Sequence, residues 1–380
     1  MIMCILCRIK DIKELEGMKE LYCSYCRIIT SIPVIKGLKE LKCFYCPNLT
    51  SIPNIKGLKK LDCYGYIYLP IIPNIKGLKK LDCSHCYNLS NIPNIKGLEE
   101  LKCVACRNLI SLPNIKGLNK LNCSKCIWLK FIPYIKGLKE LHCSECFDII
   151  VIPNIKGLKE LDCSYCYLTV IPNIKGLKEL DCSHTELTVI PNIKGLKELD
   201  CSFCSKLTVI PNIKGLKYLN CYYCFDITVI PNIKGLYELD CSYCSISTIP
   251  NIKGLTYLTC IYCSKLTVLP NIKGLKEIDS YKCTNLIVPN IKGLKEGLHC
   301  ICRYTTFIEK IKDYYCECGR LLYKSPKNLI NILDKYIHFY TMYNRLKYYK
   351  NQKEFIQWYY NPKQTGGKRI KCSLYSIVKL

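Results

Sequence analysis

The sequence predicts a solenoid of short parallel β-strands, one per unit of 19–20 residues, with extended or turn-like returns and a helical C-terminal segment. Three observations carry this prediction. The first is the period: a marker proline recurs from Pro33, Pro53 and Pro73 through to Pro250, Pro270 and Pro289, giving fourteen units. A degenerate fifteenth unit precedes them, with Lys13 at the proline position. The second is a short alternation in every unit, as in Leu161, Asp162, Cys163 and Ser164. It reads as one strand with Leu161 and Cys163 inward and Asp162 and Ser164 outward. The third is that fifteen of the twenty glycines occupy one repeat position, from Gly17 to Gly293, which marks a backbone requirement rather than a side-chain one.

Within a unit, the residues left after the strand number about fifteen, too few for a crossover containing a substantial helix. The return is therefore extended or turn-like. Pro172 fixes one backbone angle in it, and the glycine of Ile-Lys-Gly supplies a tight turn with positive φ. The solenoid is expected over residues 3–302.

The order Leu158, Leu161, Cys163, Cys166, Leu168 resembles the leucine-rich repeat pattern, with cysteine at the third apolar position and where asparagine usually stands. Units such as Leu138, Leu141, Cys143, Cys146 and Ile149 fit the longer variant. The Ile-Pro-Asn-Ile return is similar to the short repeats of bacterial secreted effectors, and the cysteine-rich, lysine-rich style to repeat proteins of giant DNA viruses. The resemblance implies a binding scaffold for another protein.

Twelve Cys-x-x-Cys pairs recur at the repeat position, from Cys4 and Cys7 to Cys260 and Cys263. Their spacing is close to that of a zinc site, and redox pairing between stacked units is a further alternative. Register favours core cysteine ladders: the first cysteine is an inward strand residue, and the second packs where the chain turns. Three units have lost one member, at Tyr66, Thr185 and Ser280, while their leucines and prolines remain. A tetrahedral site tolerates no such loss, whereas a packed thiol is replaceable. No cofactor or metal is assigned to the repeats.

Function is expected on the outward strand positions, which stack into a concave sheet. The position between Leu161 and Cys163 is acidic in seven units, including Asp162, Asp181, Asp200 and Asp240. Two residues earlier glutamate dominates, as at Glu140, Glu160, Glu179, Glu198, Glu238 and Glu277. Just after the strand come Tyr165, His184, Phe203, Tyr223 and Tyr243. An acidic surface edged by aromatic rings suits a protein partner, and these nine aspartates and ring residues are the candidate binding residues.

The net charge of +26 raises nucleic acid as a less favoured partner, because the lysines of the repeats, such as Lys156 and Lys159, fall on the return face and rim. Residues 303–380 hold 16 Lys or Arg against 5 Asp or Glu. This basic, aromatic-rich segment predicts a helix with Ser325 as N-cap and Leu329, Leu333, Tyr336, Tyr340, Tyr343 and Leu346 on one stripe, serving as a solenoid cap or a tail. It also carries the alternative of a nucleic-acid or anionic-surface binder. Cys300, Cys302, Cys316 and Cys318 lie where the repeat register fails, and whether they hold a metal stays open.

The five histidines are scattered and no catalytic constellation emerges, so no enzyme is expected. A substrate adaptor for ubiquitin ligation, a further alternative, would need an adaptor-binding module ahead of the repeats. The start, Met-Ile-Met-Cys-Ile-Leu-Cys-Arg, has no basic region before an apolar core and no cleavage site, and no apolar run approaches a membrane span. With 32 cysteines and no signal peptide, the expected compartment is reducing cytosol, host cytoplasm for a viral protein.

Overall fold

In a computed structural model, residues 5–8, 12–66 and 69–283 are described, together with Leu286, Pro289, Ile291 and Leu294. The C-terminal segment 303–380, its helix and Cys300, Cys302, Cys316 and Cys318 lie outside these residues. Among the described residues the alternation produces fourteen three-residue strands. They are β1 (Glu20–Tyr22), β2 (Glu40–Lys42), β3 (Lys60–Asp62), β4 (Lys80–Asp82), β5 (Glu100–Lys102), β6 (Lys120–Asn122) and β7 (Glu140–His142). They continue as β8 (Glu160–Asp162), β9 (Glu179–Asp181), β10 (Glu198–Asp200), β11 (Tyr218–Asn220), β12 (Glu238–Asp240), β13 (Tyr257–Thr259) and β14 (Glu277–Asp279). All are parallel and each pairs only with its sequence neighbours, in one sheet ordered β1 to β14. One helical turn, Ile5–Arg8, and a short 3-10 turn, Ile12–Leu15, precede them.

Register is set by the repeat itself. Leu161 pairs with Leu141 on one side and Leu180 on the other, so equivalent residues stack unit upon unit. The ladder runs past the strand: the Cys163 N–H donates to the Asp181 carbonyl and the Tyr165 N–H to the Ser183 carbonyl, both at 2.9 Å. In the return, the Leu158 N–H closes a turn on the Ile155 carbonyl at 3.2 Å, with Gly157 at φ 88°. That is the glycine-requiring third position of a type II turn. Lysines bind this turn from the neighbouring unit: the Lys159 Nζ donates to the Gly176 carbonyl at 3.3 Å, and Lys178, Lys197 and Lys217 repeat the contact one unit on.

The core is the interior of the coil. Ile152, Ile155, Leu158, Leu161, Cys163, Cys166 and Leu168 of one unit are all buried, as are their counterparts along the array. Both cysteine positions lie there. The first thiol faces the carbonyl of the next unit, as Cys163 Sγ does Asp181 at 3.4 Å. The second donates back to the first cysteine of the preceding unit: Cys166 Sγ reaches the Cys143 carbonyl at 3.1 Å and Cys146 Sγ the Cys123 carbonyl at 3.1 Å. Burial holds Cys163 well above the ordinary thiol range, so it stays protonated. Cys143, Cys146, Cys163 and Cys166 are free thiols.

Two details differ from the sequence reading. Ser164, expected outward, is buried, because the chain folds inward directly after Asp162. The second thiol, expected against the backbone of the following turn, instead caps the preceding unit. One-residue differences in unit length are absorbed after that thiol. In the longer units the Ile149 N–H closes a turn on the Cys146 carbonyl at 3.1 Å. In the shorter ones Leu168 follows Cys166 with one residue fewer between them, yet both side chains are fully buried. Among the described residues no helix is long and apolar enough to cross a membrane.

Replacing Leu161 with Ala empties part of a stacked layer and should cost about 2–5 kcal/mol in chemical denaturation, whereas Lys159→Ala, which removes an exposed hydrogen bond, should cost under about 0.5 kcal/mol. Equal losses at the two positions would show that the register is wrong. Tyr66 fills the place of a second cysteine with its hydroxyl buried and without a hydrogen-bond partner among the described residues. Tyr66→Phe should therefore leave stability unchanged or raise it by up to about 1 kcal/mol, and a drop in the denaturation midpoint would contradict this.

Candidate protein-binding face

The first and third residues of every strand line the open face of the sheet, and the residue three positions after the strand lines its edge. The stacking register brings Asp162, Asp181 and Asp200 into one column, continued through Asn220 to Asp240. Glu160, Glu179 and Glu198 form a second column, continued by Tyr218 and Glu238. Together they line an open groove of about 460 Å³ across β7 to β12.

The aspartates have a structural task as well. Asp162 Oδ1 accepts the Ser164 N–H at 3.1 Å and its hydroxyl at 2.7 Å, and Asp181, Asp200 and Asp240 accept the equivalent serine N–H at 2.9 Å. This Asx turn ends the strand and carries the serine inward. Asn122 and Asn220 make the same bond, so the turn needs the oxygen and not the charge.

The residue three positions after the strand also takes an unusual backbone, in units with and without the aspartate turn, as Tyr45 and Ala105 do after Lys42 and Lys102. Thirteen non-glycine residues at the edge position have φ between 54° and 63°, among them Tyr165, His184, Phe203, Tyr223 and Tyr243, and Gly65 takes φ 78° in the unit between Tyr45 and His85. Left-handed backbone costs a side-chain-bearing residue roughly 1–2 kcal/mol. The ladder bond from the same residue's N–H, 2.7–2.9 Å for Tyr165, His184, Phe203, Tyr223 and Tyr243, offsets part of it. So do ring contacts: centroids lie 4.0 Å apart for the stacked pair Tyr165 and His184, 4.1 Å for the stacked pair His184 and Phe203, and 5.0 Å for the tilted pairs Phe203 with Tyr223 and Tyr223 with Tyr243. Tyr262 extends the column at 4.7 Å. All nine candidate residues thus fall into two adjoining columns. The glutamates, an outward position in the sequence reading, stand outside the nine candidate residues; the left-handed backbone is not foreseen there, and the recurrent Asp-Cys-Ser and the glycine at position 65 are the signals for the turn.

Stacking like charges perturbs their titration. Burial, with Asp200 and Asp162 adjacent, pushes Asp181 up to about 6, while burial between rings lowers His184 to about 4. Burial also raises Asp240. Asp162 is lowered: burial opposes it, but the nearby His142 ring and the hydrogen bonds from Ser164 outweigh that. His142 is raised by the same contact, its Nδ1 lying 3.9 Å from Asp162 Oδ2. Glu140, His142 and Glu160 bring potential metal-ligand atoms within 4.8 Å of one another, but Lys120 already neutralises Glu140 at 2.6 Å.

No family model and no curated protein sequence matches the chain. Solved structures do. A leucine-rich repeat protein of Leptospira interrogans aligns with a TM-score of 0.56 at 19% identity, over 77% of this chain and 86% of that one. The functional domain of InlJ from Listeria monocytogenes, which includes a cysteine ladder, aligns at 0.46 and 20% identity, over 73% and 70%. YopM from Yersinia enterocolitica aligns at 0.33 and 17%, over 78% and 91%. With fourteen parallel strands repeating about every twenty residues, the fold is that of a leucine-rich repeat solenoid.

Because the folded state holds Asp181 protonated to a higher pH than the unfolded chain does, this group favours folding near pH 4 and loses that contribution as pH rises through about 6. Asp181→Asn keeps the turn bond and removes the crowded charge. Its melting temperature should exceed that of the parent above pH 6, with the gap closing toward pH 4. A gap that is constant from pH 4 to 8 would mean that Asp181 is not perturbed.

Proposed function

We propose that the protein is a non-enzymatic scaffold that binds a protein partner on the open strand face, the concave face expected from the sequence. Asp162, Asp181, Asp200 and Asp240 supply fixed acceptors, and Tyr165, His184, Phe203, Tyr223 and Tyr243 the aromatic contact area beside them. The observation that carries this reading is the adjacency of the two columns: acceptors already immobilised by turn bonds lose little entropy on binding. The fold supports a scaffold role in general; the basic segment 303–380, with its net charge of +11, is the competing site, for nucleic acid or an anionic surface. Cytosolic residence fits the free thiols.

The test is affinity capture read by mass spectrometry, using the full chain, a face variant and a tail variant. The face variant combines Asp162→Asn, Tyr165→Ala, Asp181→Asn and Tyr243→Ala. Asparagine keeps the turn, and alanine already stands at the ring position in Ala105. Each lost tyrosine anchor can cost about 2 kcal/mol or more, so capture should disappear while circular dichroism is unchanged. Neutralising Lys347, Lys350, Lys368 and Arg369 should matter little. Capture abolished by the tail variant and untouched by the face variant would transfer the function to the basic segment.

A further inference from the structure

We propose that the face of β8 to β12 receives an extended Lys/Arg-rich segment belonging to a partner whose overall charge is negative; this rests on reading the strand face as a protein-binding surface. The open face changes character at β7. On β2 to β6 its glutamates are neutralised in place: Glu40 pairs with Lys42 at 3.1 Å and Lys60 at 3.2 Å, and Glu100 with Lys80 at 2.7 Å and Lys102 at 3.6 Å. On β8 to β12 that compensation stops. Among the described residues no Lys or Arg lies within ion-pair distance of Glu160, Glu179, Glu198 or Glu238, or of the aspartates beside them. All eight carboxylates line the one groove, in a chain whose net charge is +26.

Three further features narrow the occupant. Asp181 and Asp240 commit Oδ1 to the turn and leave Oδ2 as a fixed acceptor without a partner among the described residues, whereas Asp162 Oδ2 faces His142 and Asp200 Oδ2 accepts from the Asn220 amide at 2.9 Å. The stacked rings run alongside, and aromatic surface next to carboxylates suits guanidinium and ammonium groups. The strands are about 4.8 Å apart, so β8 to β12 spans roughly 19 Å, the length of about six extended residues with alternate side chains on the sheet. The upward shift of Asp181 agrees with a groove short of positive charge. A partner cationic throughout would be repelled at long range by a chain of +26, so the basic stretch belongs to an acidic protein.

The test is fluorescence anisotropy on the full chain with labelled peptides of alternating Lys or Arg and Ser, against matched Glu-Ser and Gln-Ser peptides. The competing variant is Glu160→Gln with Glu179→Gln and Glu198→Gln; these glutamates make no turn bond, and Tyr218 and Lys120 hold the same strand position elsewhere. The basic peptide should bind with an affinity that falls steeply with salt, and the triple variant should weaken it by about tenfold or more. Neutralising Glu40 and Glu100 instead should change it less than about twofold. Equal binding by the triple variant, or by the Gln-Ser peptide, would overturn the inference. In affinity capture, a partner lost with the Tyr165 and Tyr243 face variant but retained by the triple variant would overturn only the basic-segment inference. A partner retained by both would overturn the face reading as well.

Discussion

The structure depends on one buried polar contact repeated along the coil. Each unit turns inward directly after its strand, which carries the carbonyl of its first cysteine into the interior, where water cannot satisfy it. The second cysteine of the next unit donates its thiol there, at 3.0–3.1 Å for Cys126, Cys146, Cys166 and Cys224. A leucine at that position would fill the volume but remove this bond, leaving the Cys103, Cys123 and Cys201 carbonyls only the longer 3.3 Å turn bond from their own unit, a loss of about 0.5–1.5 kcal/mol per unit. The thiol is small, apolar enough for the core and still a donor, which is why cysteine serves here without a metal or a disulfide being needed.

In-register stacking then dictates what each surface column can hold. Equivalent residues are neighbours at about 4.8 Å, which suits leucine, isoleucine and aromatic rings and penalises runs of one charge. On β2 to β6 Lys and Glu are mixed in the first column, so that Glu40 and Glu100 each have a lysine on a neighbouring strand, although Lys60 lies beside Lys80. On β8 to β10 the conflict is left standing, with Glu160 beside Glu179 beside Glu198 and Asp162 beside Asp181 beside Asp200. The same chain thus uses one geometry for a self-neutralised surface and for an electrostatically unfinished one.

The strand, the glycine turn and the inward leucines are legible because their residue types have strong local preferences that agree with the period. The alignment of the candidate residues into columns follows from the period. What escaped is the conformation beneath them. Tyrosine and phenylalanine do not favour positive φ, so Tyr165 and Phe203 carry no local sign of it, and the ladder bond that accompanies it joins different units. Ser164 reads as a polar, outward residue until the Asx bond of Asp162 is seen to turn it in. The lysines read as solvated flanks, whereas Lys178 and Lys197 reach the glycine carbonyls of the following units.

The turn after the second cysteine has a consequence for how such an array changes length. Units with one residue more or less at this point, as between Cys146 and Ile149 or Cys166 and Leu168, return to the same buried leucine position and the same strand register. The slack is taken up on the surface, outside the ladder. Gene segments encoding whole units, of either length, can therefore be duplicated or lost by misaligned recombination without putting the remaining copies out of phase, and the extent of the acidic groove becomes a property that copy number alone can adjust.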